Sequence, residues 1–166
     1  MNTPTWESLD GILVNGHMVL YACYEFEDAT TTPTDLKYFT IQENHQMFEL
    51  NGVKYEGKTF INLNSAYTNI FKDPITLPSF YNGKPIHFVG NFVKAKYIPQ
   101  VYFLDDNEYE GIYENGFSGC SSLTSINLPK TDKFKIIGQD SFQDCFKLEK
   151  ISEDDCLNDG IIYIGN

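Results

Sequence analysis

The sequence has none of the short motifs that mark common catalytic and metal sites. It lacks Cys-x-x-Cys, His-Glu-x-x-His, Gly-x-Ser-x-Gly and a glycine-rich phosphate loop. Their absence leaves no signal for a zinc ribbon, a thioredoxin-like redox site, a zinc protease, a serine hydrolase or a nucleotide-phosphate site. The three histidines, His17, His45 and His87, are scattered along the chain. We therefore expect no enzymatic activity, no cofactor and no bound metal.

Positive charge is also scarce. Lys and Arg total 12 against 23 Asp and Glu, which gives a formal net charge of −11 at pH 7. A chain this acidic repels phosphate backbones and anionic lipid, so we expect no nucleic-acid partner. No apolar run is long enough for a membrane helix, and the first residues lack the basic and apolar regions of a secretory signal. We expect neither a membrane span nor export by that route.

Two acidic clusters are the remaining candidates for binding a hard cation such as calcium. They lie at residues 105–108 and 153–155. The first cluster places Tyr109 at the third ligand position of an EF-hand-like loop and lacks the required glycine spacing. The sequence favours solvated turns in both places. It also gives no carboxylate separation from which a glycosidase pair can be argued.

One hydrophobic pattern repeats three times at a spacing of 25 residues, with no gap between the copies. Its positions form four columns: Phe92, Phe117 and Phe142; Ala95, Cys120 and Cys145; Ile98, Leu123 and Leu148; Val101, Ile126 and Ile151. A period of 20–29 residues with a Leu-x-x-Leu-x-Leu core, seen at 98–103 and 123–128, is typical of a leucine-rich-repeat solenoid. Each copy is one coil too small to bury its apolar residues alone, so stacked coils form the core.

The second copy indicates how one coil is built. Phe117, Cys120 and Leu123 lie three residues apart, which predicts a short helical turn over residues 115–123. A strand follows, in which alternation places Ile126 inward and Asn127 outward. Each coil therefore combines a short turn with a half-buried strand.

Residues 112–129 and 137–151 resemble BspA-type leucine-rich repeats, and residues 92–103 resemble a degenerate copy that lacks the cysteine. With an upstream piece at 75–90, the resemblance covers roughly residues 74–166. It implies a non-catalytic surface or adhesion-type module, because that family is generally found on microbial and parasite surfaces and in some mobile elements. The resemblance does not extend to the residues before about Lys72.

Four cysteines are present, Cys23, Cys120, Cys145 and Cys156. Two of them, Cys120 and Cys145, occupy an inward column, where a buried cysteine behaves as a small hydrophobic residue. Packed thiols are the favoured interpretation. A disulfide between these two cysteines is the alternative, because strands of adjacent coils lie about 4.8 Å apart, within the usual Cα separation of a disulfide.

The first 71 residues have the pattern of strands and turns. Asn15 and Gly16 lie between two β-rich runs and predict a hairpin, because both turn positions require positive φ. Further strands are predicted at three places, and two turns separate the last two of them. The predicted strands are 36–41, 47–50 and 59–63, and the predicted turns are 51–52 and 56–57.

The predicted fold is mainly β with short helical turns. About three 25-residue coils of a leucine-rich-repeat solenoid occupy residues 72–166. Residues 1–71 form a β-rich capping or docking region. We expect it to be a small antiparallel sheet that covers the first coil, since a solenoid needs its open ends shielded.

The predicted function is a non-catalytic interaction module for surface recognition, adhesion or assembly. Its partners would be other protein subunits or a cell-surface protein or glycan, and it would belong to an oligomer or larger assembly at a cell surface, outside the cell or in a virion. A structural subunit of a phage virion is the alternative. The candidate interaction residues are the aromatics Tyr102 and Tyr113, expected to point outward, and an apolar edge near the end of the sequence. That edge consists of Ile161, Ile162, Tyr163 and Ile164, which would otherwise form a strand that completes the sheet.

Overall fold

The structure is a computed structural model that describes residues 32–151, and the structural statements below concern that part of the chain. It contains twelve short strands and two 3₁₀ helices, Leu36–Tyr38 and Ser65–Tyr67. The strands are β1 (Phe39–Gln42), β2 (Phe48–Leu50), β3 (Val53–Tyr55), β4 (Phe60–Leu63), β5 (Ile75–Leu77), β6 (Phe80–Tyr81), β7 (Lys84–Pro85), β8 (Phe88–Val89), β9 (Gln100–Phe103), β10 (Gly111–Ile112), β11 (Ser125–Asn127) and β12 (Ile136–Ile137).

Two parallel sheets alternate along the chain and define the coils of a solenoid. The first sheet has the order β1-β4-β8-β10-β12 and is parallel from β4 onward. The second sheet has the order β11-β9-β5 and is wholly parallel. Coil 1 runs from β4 to β5, coil 2 from β8 to β9 and coil 3 from β10 to β11. Coil 4 begins with β12 and ends where Lys150 bridges Ser125 of coil 3.

The predicted phenylalanine column is confirmed. The ring centroids of Phe92 and Phe117 are 5.2 Å apart, and those of Phe117 and Phe142 are 5.8 Å apart with nearly parallel planes. Phe39 of β1 extends the column at the other end, 6.2 Å from Phe92. The other three columns lie in the same core, and their members in coils 2 and 3 are buried. In coil 4 the members of all four columns are half-buried, because no described coil follows them.

The predicted helical turn of coil 3 consists of successive tight turns. Backbone hydrogen bonds join residues three apart, from Gly116 to Tyr113, from Ser118 to Asn115 and from Cys120 to Phe117, at 2.9–3.1 Å. The strand after it has Ile126 in the core, as the alternation predicts.

A second hydrophobic cluster lies on the outer face of the first sheet. Residues of that sheet alternate, so Ile61 and Val89 face the solenoid core while Phe60 and Phe88 face away from it. The β2–β3 hairpin covers the outward rings, with Leu50 fully buried against them. This hairpin turns at 51–52 as predicted, and both turn residues have positive φ.

Gly111 allows the first sheet to pack this closely. It occupies an outward position between Phe88 and Ile136. A Cβ atom at Gly111 would lie 2.3 Å from the carbonyl oxygen of Ile136 and 3.2 Å from the Phe88 ring. Only glycine fits there, since the nearest atom belongs to the backbone of the next coil.

The antiparallel strand β1 and the β2–β3 hairpin are the described part of the predicted N-terminal β region. β1 pairs with β4, with Phe39 opposite Leu63, and occupies one edge of the first sheet. The predicted domain boundary between residues 71 and 72 falls inside coil 1, between two strands that both pair in parallel with coil 2. The predicted hairpin at Asn15 and Gly16 lies outside the described residues.

Candidate binding cleft

Tyr102 does not point into solvent, so that part of the sequence prediction is wrong. Its side chain is 6% exposed, and its hydroxyl donates to Gln100 Oε1 at 2.9 Å. The physical reason is that the outer face of the second sheet is covered: Thr76, which pairs with Tyr102 in the adjacent coil, is 1% exposed. Among the predicted interaction residues, 161–164 lie outside the described part of the chain.

Tyr113 lies at an open cleft on the outer face of the first sheet. Its ring is half-buried and meets Phe48 and Phe60 edge-on, each at a centroid distance of 5.4 Å. The cleft has a volume of about 460 Å³, within the range of small-ligand sites. We call it the aromatic–amide cleft, and define it by the rings of His45, Phe60 and Tyr113 and the amides of Gln42, Asn62, Asn91 and Asn115.

The rings of the cleft are held in place by the second hydrophobic cluster. His45 stacks on Phe60 with centroids 4.3 Å apart and planes 17° apart. Phe60 is almost fully buried, whereas His45 and Tyr113 are half-buried and keep part of their rings accessible. The cleft therefore offers ring surface on a packed support.

The amides come from four different segments, and two of them are fixed by backbone hydrogen bonds. Asn62 Oδ1 accepts from the Asn91 backbone N–H at 2.8 Å, and Asn62 Nδ2 donates to the Thr40 carbonyl at 3.3 Å. Asn91 Oδ1 accepts from the Val93 N–H at 3.0 Å. Gly90 lies between these amides, and a Cβ there would lie 2.1 Å from Asn62 Oδ1. The absence of a side chain at Gly90 keeps this part of the cleft open.

The electrostatic character of the cleft is simple. Among the described residues that line it, Glu114 is the only acid and none is Lys or Arg. The cleft therefore has no cationic side chain with which to bind a phosphate or sulfate.

A second concave region, of about 400 Å³, lies where the strands of the first sheet begin. Lys58 and Glu110 form an ion pair of 2.7 Å across two coils, and Lys133 pairs with Glu108. Between coils 1 and 2, the Thr59 backbone N–H donates to His87 Nδ1 at 3.0 Å. Burial, and secondarily the charge of Lys58, lowers the pKa of His87. Because acids and bases here are paired with each other, we interpret this region as a clamp between coils.

The cysteine column contains packed thiols and no disulfide between its two described cysteines. Cys120 Sγ donates to the Phe92 carbonyl at 3.2 Å, and Cys145 Sγ donates to the Phe117 carbonyl at 3.1 Å. Burial raises the pKa of Cys120 to about 12 and that of Cys145 to about 11. Neither thiol is poised as a nucleophile, because the reactive form is the thiolate.

Within residues 32–151, no group of three or more His, Cys, Asp or Glu side chains is arranged to hold a metal ion. The same residues include no helix with the length and apolar character needed to cross a bilayer.

The sequence pattern indicates Tyr113 but misses the other residues of the cleft. Gln42, Asn62, Asn91 and Asn115 lie in or next to turns and strand ends, where amides are common for local hydrogen bonding. Their only shared signal is that they follow the strands of the first sheet or flank them, and this becomes visible once the coils are aligned.

Comparison with known families agrees with the repeat architecture. Residues 90–165 match the sequence model of a family described as "BspA type Leucine rich repeat region (6 copies)". The repeat region of this chain is therefore of the BspA leucine-rich-repeat type. Such repeats indicate a protein-interaction module and are typically non-catalytic.

A solved structure also resembles the chain. The crystal structure of a leucine-rich repeat protein from T. pallidum matches with a TM-score of 0.51 and 23% sequence identity. The match covers 72% of this chain and 49% of the other, so the chain spans about half the length of that protein. At this identity the likeness shows the solenoid fold alone. A comparison with curated proteins gives no match.

Proposed function

We propose that the chain is a non-catalytic recognition module that binds its partner in the aromatic–amide cleft. The observation that carries the proposal is the convergence of three rings and four amides from separate segments on one open cleft. Binding sites commonly combine an apolar or aromatic lining with a few polar groups that fix orientation. A partner of this kind would be met at a cell or particle surface.

The rigid support of the cleft favours binding without a large ordering cost. Phe60 is buried under the β2–β3 hairpin, and Asn62 is held by two backbone hydrogen bonds. Groups fixed before the ligand arrives lose little conformational entropy on binding. The solenoid thus acts as a scaffold for the site.

The proposal is tested by measuring binding of the fluorescently labelled chain to fixed epithelial and bacterial cells. We expect saturable binding that is strongly reduced by Tyr113→Leu, which keeps an apolar side chain but removes the ring. The matched control is Tyr97→Leu, because Tyr97 is 52% exposed and does not line the cleft. Binding unaffected by Tyr113→Leu in a chain with unchanged thermal stability would show that the cleft is not the site.

Assembly into a larger particle, as in a virion, is the second candidate function. Phe146, on the last described coil, is 81% exposed beside half-buried members of the core columns. Large exposed apolar side chains at the end of a solenoid are suited to subunit contacts. Native mass spectrometry tests this role: Phe146→Ser should lower the oligomeric state if this surface joins subunits, and an unchanged mass would rule it out.

A further inference from the structure

We infer that the aromatic–amide cleft binds an uncharged segment of a glycan, either free or attached to a protein. This inference rests on the proposed function and names the ligand class of the same site. Its basis is the combination of accessible ring surface, several amides and no cationic side chain among the described lining residues.

The rings match the apolar faces of sugars. A pyranose presents a patch of C–H groups on one face, and such a patch packs on an aromatic ring through dispersion and burial of apolar area. Tyr113 and His45 are half-buried, so part of each ring is available for this contact. Phe60 lies behind them, stacked on His45 and edge-on to Tyr113, and prevents their collapse.

The amides match the hydroxyl groups of sugars. A hydroxyl both donates and accepts, and a carboxamide offers a donor and an acceptor side by side. Two neighbouring hydroxyls can therefore pair with one amide. Gln42 and Asn115 are exposed, and Asn62 and Asn91 are oriented by the backbone. Four such groups at one cleft can fix the position of a hydroxyl-rich ligand.

The charges select against anionic ligands. Glu114 contributes a carboxylate to the cleft, and no Lys or Arg lines it. The whole chain has a net charge of −11. Sulfated, phosphorylated or sialylated glycans would meet repulsion without a compensating cation, because opposite charge is what concentrates such ligands at a surface. A neutral glycan avoids this cost, and its binding should respond little to salt.

The inference is tested with purified carbohydrates. The full chain is applied to immobilised neutral oligosaccharides of glucose, mannose, galactose and N-acetylglucosamine, with heparin as the anionic comparison. We expect at least one neutral oligosaccharide to bind and heparin not to bind. Failure of every neutral oligosaccharide to bind overturns the inference, and so does preferential binding of heparin.

Two sources of the same chemistry are distinguished with one protein pair. Ribonuclease B carries a neutral mannose-rich glycan, and ribonuclease A is the same polypeptide without it. Binding to B alone indicates a protein-borne glycan, whereas binding only to free oligosaccharide indicates a polysaccharide ligand. Equal binding to both ribonucleases that depends on Tyr113 would assign the cleft to a peptide and overturn the inference.

The variants isolate the ring from the amides. For the oligosaccharide that binds, Tyr113→Leu should weaken affinity about tenfold or more, equivalent to at least about 1.4 kcal/mol, whereas Tyr113→Phe should retain most of it. Gln42→Ala should weaken binding severalfold. Gln46→Ala is its matched control, since Gln46 is exposed nearby and does not line the cleft. If these variants leave oligosaccharide binding unchanged, the cleft is not the glycan site.

The outcomes separate this inference from the proposed function. Cell binding that requires Tyr113, together with no binding to any neutral oligosaccharide, would leave the recognition module in place and remove the glycan. Oligosaccharide binding that ignores Tyr113 would contradict both assignments to this cleft.

Discussion

Individual polar atoms inside this solenoid are satisfied by the neighbouring coil. Cys120 and Cys145 each donate from Sγ to the carbonyl of a phenylalanine in the preceding coil. His87 accepts from a backbone N–H of coil 1. Such bonds remove the penalty that an unpaired buried polar atom would carry. They also set the protonation state of each group, which leads to two predictions.

The first prediction concerns thiol reactivity. Because burial raises the pKa of Cys120 to about 12, its thiolate is very rare near neutral pH. We expect native Cys120 to be alkylated by iodoacetamide roughly a hundredfold or more slowly than a free cysteine. Peptide mass spectrometry after timed labelling measures this, with labelling in strong denaturant as the control. Native labelling at the free-thiol rate would contradict the packed column.

The second prediction concerns pH. The pKa of His87 is lowered from 6.5 in the folded chain by burial and by Lys58, with Glu110, Glu108 and Lys133 as the other charged neighbours. Below about pH 6.5 the unfolded chain therefore binds a proton that the folded chain resists, so stability falls as the pH falls through the folded pKa. A proton on Nδ1 would also oppose the Thr59 N–H. We expect the melting temperature to drop between about pH 7 and pH 5 for this reason.

His87→Asn tests the origin of that drop. An asparagine oxygen can accept from Thr59 N–H but does not titrate, so the variant should lose less stability on acidification than the native chain. His45→Asn is the control, because the His45 ring lies in the cleft, away from this bond. An equal drop in the native chain and in His87→Asn would assign it to other groups.

At the scale of secondary-structure elements, the repeat spacing predicts coils 2 to 4 but not coil 1. Thr124 bonds Pro99, 25 residues earlier, as the period requires, whereas Thr59 and His87 are bonded 28 residues apart. The longer first coil has no phenylalanine of its own in the column. Phe39 from β1, which runs antiparallel, takes that place. A pattern search along one coil cannot find a residue supplied by another strand.

The cleft shows the same limit. The turn at 51–52 is predictable because both residues need positive φ, and the structure has the hairpin there. Its docking on Phe60 and Phe88 is a tertiary contact that no local pattern specifies. The position of Tyr113 beside Asn62 depends on that docking and on coil alignment. Alternation alone also suggested an exposed Tyr102, because it cannot tell a covered face from an open one.

The third prediction concerns the hairpin. Phe48 contacts Phe60 and Phe88 edge-on at 5.2 and 5.3 Å, and stacks on Tyr55. Phe48→Ala should destabilise the fold by about 2–3 kcal/mol, below the roughly 3–5 of a fully buried phenylalanine because Phe48 is half-buried. Urea unfolding measures the loss.

Val53→Ala is the matched control on the same hairpin. Val53 is 46% exposed, so its truncation should cost less than about 1 kcal/mol. Similar small losses for both variants would mean that the hairpin does not cover the sheet in solution.

The whole molecule is held together by contacts between neighbouring coils. The phenylalanine column, the cysteine bonds and both sheets join each coil to the next one. The Lys58–Glu110 pair reaches further, from coil 1 to coil 3 across His87. In such a solenoid, stability is approximately a sum of coil and interface terms, so a residue with two neighbours matters more than one with a single neighbour.

The fourth prediction compares the middle and the end of the column. Phe117 is buried and packs against Phe92 on one side and Phe142 on the other, whereas Phe142 is half-buried with one described ring neighbour. Phe117→Ala should therefore lower the free energy of unfolding by about 3–5 kcal/mol, and Phe142→Ala by roughly 1–2. Phe117→Leu, which keeps apolar volume, should cost less than Phe117→Ala.

Urea unfolding with an unchanged dependence on denaturant gives all three values. Amide hydrogen exchange adds their location, since Phe142→Ala should loosen coil 4 while leaving β8 and β10 protected, and Phe117→Ala should expose both strands. Equal losses for the two alanine variants, with uniform exchange along the chain, would mean that the end coil is covered by a further contact as extensive as the one between coils 2 and 3.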